Sequence, residues 1–362
     1  MPTKRLAANA DMANLRREAK DLLTDLRRGD MRACQRFRAF HPRFGGFDDA
    51  AIAGAIVGQS DAQHAIAREY GFANWPRLLA VLDEGARPGV PLIHNDRIEE
   101  GPFSQALDFL DEGNEVLLAR QLKAHPGIVV QRVVFEGDNY FTKPTLLEFV
   151  AENPVRQGRL PANITAIARI ILDAGAKDDR QAVEDTLLLV ASGRVAREAG
   201  AQIPLLELLC DYGADPAAGL SAALAEGEFD AVNALLARGA PLDLATAAAL
   251  GLQDDIARLL GGADADALQL ALALSALHGR ASAVVALIDA GADPNRYNPD
   301  GGHSHCTPLH SAAWAGHLDT VKALNAGGAR CDIGDVHHNA TALGWAEHAG
   351  QHAVASYLQA LG

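Results

Sequence analysis

The chain holds 362 residues, with 49% hydrophobic residues, 16 prolines and a formal net charge of −14, which argues against a disordered protein and leaves room for a large core. Eleven Lys/Arg face five Asp/Glu in residues 1–43. The rest is therefore strongly acidic, which argues against nucleic acid or an anionic membrane as a partner anywhere but at that first segment. Cys34, Cys210, Cys306 and Cys331 show no C-x-x-C spacing, and no stretch approaches the roughly 18 consecutive apolar residues of a membrane span, so the reading is a cytoplasmic, monomeric protein with reduced thiols.

From Asn14 to Leu26 the apolar residues Leu15, Ala19, Leu22, Leu23 and Leu26 recur at helical spacing, which predicts an amphipathic helix. Asp30 caps a second helix carrying Met31, Cys34 and Phe37, closed by His41-Pro42. Asp48 and Asp49 open a third that runs through Val57. Ser60-Asp61-Ala62-Gln63 has the S-x-x-Q form of a capping box for a fourth, ending at Tyr70-Gly71. Asn74-Trp75-Pro76 starts a fifth with Leu78, Leu79 and Leu82 inward. Residues 10–85 thus read as an N-terminal helical unit, and 86–102, with Arg87-Pro88-Gly89 and Pro91, as a linker.

Beyond residue 102 a ladder appears. Phe103 to His125 forms a first copy broken at Gly113, and Thr145 to Leu172 a second with a loop at Pro154–Pro161. Gly-Ala pairs then close aliphatic helices at Gly175, Gly213, Gly239, Gly262, Gly291 and Gly328, in steps of 38, 26, 23, 29 and 37. Glycines at Gly193, Gly227, Gly251, Gly279, Gly316 and Gly350 separate an alanine-rich helix from an aliphatic one in each copy. The short steps predict connecting hairpins that are missing or reduced around residues 215–265, since the helix pair carries the stacking core and the hairpin does not. Val129–Pro144, with Phe135, Tyr140 and Phe141, and Arg194–Pro204 read as insertions.

The best-formed copy is Thr307-Pro308-Leu309-His310-Ser311-Ala312-Ala313-Trp314-Ala315-Gly316, followed by His317 to Leu324. Thr307 caps, Pro308 sits at the first helical position and Gly316 stops the helix. The hexamer Thr307 to Ala312 matches the T-P-L-H-x-A signature, and the chain resembles the ankyrin-repeat family, specifically over Thr307–Leu358 and more loosely from residue 103. The segments 67–76 and 338–348 are similar to those of bacterial ankyrin-repeat proteins with a helical N-terminal extension. That resemblance implies an all-α ankyrin solenoid with short β-hairpin loops, about eight irregular repeats over 103–362, and a non-enzymatic role in binding a protein partner.

In such repeats the contact surface is made by hairpin tips and the end of each first helix. Those positions are Tyr297, His303, Ser304, Cys306, Leu277, His278, Trp314, Ala315, His337, His338 and His348. Trp314 is the expected anchor, because rigid aromatics concentrate interface energy, whereas Trp345 reads as core. Nine of the 13 histidines lie in the last 85 residues, and His303-Ser304-His305-Cys306 faces His337-His338 near Cys331. A tetrahedral zinc site there is an alternative, although the spacing matches no standard zinc module and no metal or other cofactor is assigned. A second alternative is nucleic acid bound through the basic first helices, with Ala67-x-x-x-Gly71 as a helix-turn-helix turn. Arg77 alone then offers a contact on the reading helix. No nucleophile, P-loop or metalloprotease motif occurs, so no catalytic residue is assigned.

Overall fold

The computed structural model describes residues 4, 6, 10–72, 74–84, 98–99, 101–135 and 140–361. Of the stretch read as a linker, only Ile98, Glu99, Gly101 and Pro102 fall among them. Contacts gather the chain into two compact units, Met1–Thr186 with Gly193–Ala214, and Leu187–Ser192 with Asp215–Gly362. Among the described residues no helix is long and apolar enough to cross a membrane.

In the first unit come α1 (Met12–Arg27), α2 (Met31–Phe40), α3 (Asp49–Ala53), α4 (Gln59–Glu69) and α5 (Trp75–Glu84). The Asp11, Asp30 and Asp48 side chains accept amides of the first turns of α1 to α3, which satisfies donors that have no helical partner. Leu15, Ala19, Leu22, Leu23 and Leu26 of α1 close over Cys34, Phe37, Phe44, Ile52, Ile66 and Leu78 in one core. Two expectations are corrected. The third helix stops at Ala53, well short of Val57. The fourth begins at Gln59, and Asp61, in place of Gln63, returns to the cap by accepting the Gly58 N–H at 2.7 Å. Ser60 is drawn away by Asp108, whose carboxylate accepts its N–H at 2.7 Å and its hydroxyl at 2.8 Å.

Asp108 belongs to α6 (Pro102–Asp111), which pairs with α7 (Glu115–Ala124) across Gly113. Asp61 accepts from Gln105, which accepts from Gln121, at 2.8 and 2.9 Å, so α4, α6 and α7 share one buried amide-carboxylate chain. Removal from water raises the Asp108 pKa well above the ordinary value, against the Ser60 hydrogen bonds and with help from Asp61 and Asp111. A folded pKa raised above the unfolded one means the folded state holds the proton longer, so this group makes stability fall as pH rises from about 4. Asp108→Asn keeps the acceptor for Ser60. It is expected to remove that contribution, read as a urea midpoint that rises relative to the unchanged protein by more at pH 8 than at pH 5.

The unit continues through a 3-10 turn at Leu147–Ala151, α8 (Ile164–Asp173), α9 (Arg180–Ala191), whose last residues count with the second unit, α10 (Arg194–Glu198) and α11 (Gln202–Asp211). The two insertions are structural. Phe135 and Phe141 stack 6.1 Å apart and both meet the ring of Phe149 edge-on, and Arg194–Glu198 forms a helix where a loop was expected.

The second unit is a run of helix pairs, α12 (Leu220–Glu226) with α13 (Phe229–Ala237), α14 (Leu244–Leu250) with α15 (Gln253–Leu260), α16 (Ala265–Leu277) with α17 (Ala281–Asp289), α18 (Pro308–Trp314) with α19 (Leu318–Ala326), and α20 (Ala342–His348) with α21 (His352–Gln359). First helices pack on first helices and second on second. Alanines make this possible: Ala247, Ala248, Ala312, Ala313 and Ala346 let the first helices approach, while Ile256, Val284, Leu287, Val321, Leu324, Val354 and Leu358 fill the layer behind. Such burial is worth about 25 cal/mol per Å² of apolar surface.

The connections between α13 and α14 and between α15 and α16 are short, Arg238–Asp243 and Gly261–Asp264. The long loops precede α18 and α20. The β-hairpins expected there reduce, among the described residues, to one antiparallel bridge, Gly334 with Thr341. The two loops are joined where the Val336 N–H donates to the His305 carbonyl at 2.9 Å.

One sequence feature ties three of the copies to the one before. The residue after the helix-breaking glycine reaches the carbonyl two positions before the preceding such glycine: Arg280 to Ala249 at 2.8 Å, His317 to Leu277 at 3.1 Å and Gln351 to Trp314 at 3.1 Å. These carbonyls end first helices and have no partner in their own helix. Glycine is required beside the tie. At Gly279, where φ is +71°, an added Cβ would stand 2.7 Å from the His317 ring.

Candidate docking surface

The site is built on α18, α20 and the loops before them. His310 fixes the start of α18. Its Nδ1 lies 2.8 Å from the Thr307 hydroxyl and 3.3 Å from the Thr307 N–H, and its Nε2 lies 3.0 Å from the Ala340 carbonyl in the next loop. An amide donor on Nδ1 assigns the proton to Nε2, so the neutral ring bridges two repeats. Burial lowers its pKa, which keeps it uncharged.

Asp335 organises the second loop. Its buried carboxylate accepts the N–H groups of His337 at 2.9 Å, His338 at 2.7 Å and Ala340 at 3.1 Å, and the Trp345 indole N–H at 3.0 Å. These donors, the indole first and then the His338 amide, hold its pKa well below the usual carboxylate range. A depressed folded pKa contributes stability that is present above about pH 4 and lost as pH falls below it. Asp335→Ala leaves four donors without their acceptor. It is expected to lower the urea midpoint and to speed amide exchange at His337 and His338, measurable by urea denaturation and hydrogen exchange.

On this frame lies a row of rings. His303 stands 6.1 Å from His305, His305 stacks on His337 at 5.1 Å, Trp345 lies 5.7 Å from His305, and Trp314 meets Trp345 edge-on at 5.7 Å and stacks on His348 at 5.8 Å. His338 extends the row from His337 at 6.3 Å. Trp314 is 47% exposed, while Gln351 holds its main chain. His303 has φ +64°, a region that favours glycine, and such strain collects at functional positions. Ser304 is exposed beside it, and the exposed Tyr297 donates its hydroxyl to the Gly334 carbonyl at 2.6 Å.

Several assigned residues sit elsewhere. Cys306 is fully buried, within 3.5 Å of Asn298 and Ser311 and with its thiol donating to the His303 carbonyl at 3.4 Å, so it offers no contact to a partner. His278 serves packing: its Nε2 lies 2.6 Å from the Leu224 carbonyl and its ring meets Phe229 edge-on. It thereby ties the end of α16 to α12, two repeats back. Leu277 is half-buried beside it. Trp345, read as core, is only half-buried and stands in the middle of the row. Its neighbour His305 was noticed in sequence but not assigned, although its place between His303 and Cys306 in a histidine-dense loop was the available signal.

The zinc alternative fails on geometry. Among the described residues no three His, Cys, Asp or Glu side chains converge on a point that could hold a metal ion. Cys306 turns inward, Cys331 packs on the core, and burial raises both thiols above their ordinary pKa. At the N-terminus much of the basic charge is engaged: Arg36 binds Glu69, Lys4 binds Glu69 and Glu18, Arg38 binds Asp49 and Arg27 binds Glu112.

Helix pairs with short connections, Thr-Pro-Leu-His capping and loops joined edge to edge are the elements of one repeat type. The sequence profile of ankyrin repeats, in three copies, matches residues 195–335 and 270–362. A cyclin-dependent kinase 4 inhibitor B of Bos taurus is 33% identical over 129 residues, spanning 28% of this chain and 94% of the inhibitor. The chain belongs to the ankyrin-repeat family. Its all-α repeat array is a protein-interaction module, and His310 is the histidine of the ankyrin tetrad, which accounts for its buried bridge.

Proposed function

We propose that this ankyrin-repeat protein is a non-enzymatic adaptor that presents the row His303–His305–His337–Trp345–Trp314–His348 to a protein partner, with the helical unit of residues 10–85 capping the first copy of an array over 103–362. The observation that supports this most is Trp314, a large aromatic left 47% exposed on a helix whose main chain is tied in place. Rigid, half-open aromatics ringed by polar groups are the usual centres of interface energy. The related inhibitor is by its name a protein that acts on another protein, which fits the same kind of role.

A photo-reactive phenylalanine analogue tests the placement. Inserted at Trp314 or His303 in the full chain it is expected to crosslink to a partner protein in the source cell. Inserted at Val285, which is also 47% exposed but lies on α17, it is expected to yield no such product. Equal crosslinking from all three positions, or from Val285 alone, overturns the assignment.

A further inference from the structure

The chemistry of the row also points to the kind of partner segment it fits. Residues 297–361 contain Asp300, Asp319, Asp332, Asp335 and Glu347 against only Lys322 and Arg330. Both cations are already engaged, Lys322 with Asp319 at 3.7 Å and Arg330 with Asp332 at 2.7 Å. With imidazoles neutral the segment therefore carries a formal charge of −3, with Asp300, Asp319, Asp332 and Glu347 exposed, and its exposed ring faces are electron-rich. An arginine or lysine laid over an indole is attracted by both features, worth about 0.5–2 kcal/mol for the ring contact.

The histidines make this field reversible. His303, His337, His338 and His348 are exposed and His305 is half-buried, and an unperturbed imidazole charges near pH 6.5. Protonating four of them outweighs the excess of three carboxylates. His305 faces His303 in its own loop, His337 and Asp335 in the next loop, the Trp345 ring of α20 and His310 of α18. Burial, then His337 and His303, lower its pKa against the pull of Asp335.

We propose that this surface receives a basic segment of a partner, with an arginine or lysine against Trp314, and releases it on acidification as the imidazoles charge. The inference rests on the docking role proposed above and adds the partner's chemistry and its control.

The probe is a blocked (Arg-Gly-Gly)₃ peptide with a (Glu-Gly-Gly)₃ counterpart, each titrated into the full-length protein while the tryptophan indole N–H signals are followed by NMR. Trp314→Phe assigns the signal of Trp314 and keeps a ring face, and Trp314→Leu removes it. At pH 7.5 the arginine peptide is expected to shift the Trp314 and Trp345 signals saturably and to leave Trp75 unmoved. At pH 5.5 affinity falls at least tenfold, Trp314→Leu abolishes the Trp345 shift, and Trp314→Phe retains it. A variant with His303, His337, His338 and His348 all changed to Gln keeps its affinity at pH 5.5.

Affinity equal at the two pH values, or a shift confined to Trp75, overturns the proposal. Preference for the glutamate peptide overturns it while leaving a docking surface in place. If neither peptide moves Trp314 or Trp345 the proposal falls, and the crosslinking experiment decides the docking role independently.

Discussion

Trp314→Ala is expected to weaken partner binding by about 30-fold, the ~2 kcal/mol typical of an aromatic anchor at the centre of an interface, while folding stability changes by no more than about 1 kcal/mol. The two effects separate because Trp314 is 47% exposed and, among the aromatic groups of the described residues, its ring meets only Trp345 and His348. Its backbone position is kept by Gln351, which binds the residue-314 carbonyl whatever side chain it carries. Titration calorimetry with the captured partner and urea denaturation give the two numbers. Wild-type affinity in the variant would remove Trp314 from the site, and a collapse of stability would assign it to the core.

His310→Ala is expected to do the reverse, costing about 3 kcal/mol of stability with binding lost only in proportion to unfolding. The imidazole is 1% exposed and bridges Thr307 to the Ala340 carbonyl, so truncation leaves a void as well as unpaired polar groups at the starts of two repeats. The pH dependence follows from the same burial. A histidine whose folded pKa lies below the unfolded value binds fewer protons when folded, so its stability is fully present above about pH 6.5 and declines as pH falls through and below that value. Urea midpoints between pH 7.5 and 5.5 should therefore fall in the unchanged protein, and the part of the slope due to His310 should vanish in the alanine variant. An unchanged slope would show that the ring is not buried neutral.

Legibility differed between fold and site for physical reasons. Helix starts and stops depend on nearby residues, so Asp11, Asp30, Asp243, Asp264 and Thr341 as caps and Gly227, Gly251, Gly316 and Gly350 as stops follow from short-range chemistry that can be read along the chain. Ser60 shows the limit of such reading. Its S-x-x-Q pattern is a valid cap, yet Asp108, 48 residues away, competes for the same hydroxyl and amide.

The candidate site was half legible. Trp314, His303, His337 and His348 could be picked out because their positions in the repeat lie outside the stacking core, and the structure leaves all four exposed. Cys306 and His278 occupy similar positions, and both turn inward. Cys306 is claimed by Asn298 and Ser311, and His278 by a carbonyl 54 residues away. Trp345 moved the other way, because its indole N–H is held by Asp335 at the loop edge.

By itself the sequence determined the helix pairs, their phase, the repeat type and the neighbourhood, residues 297–348, in which exposed aromatics gather. Those properties come from periodicity and capping, which act over a few residues. Only the tertiary structure decided which histidines are structural ties and which stand exposed. That choice depends on where the backbone carbonyls of neighbouring repeats fall, and stacking alone places them within reach of one ring and out of reach of the next.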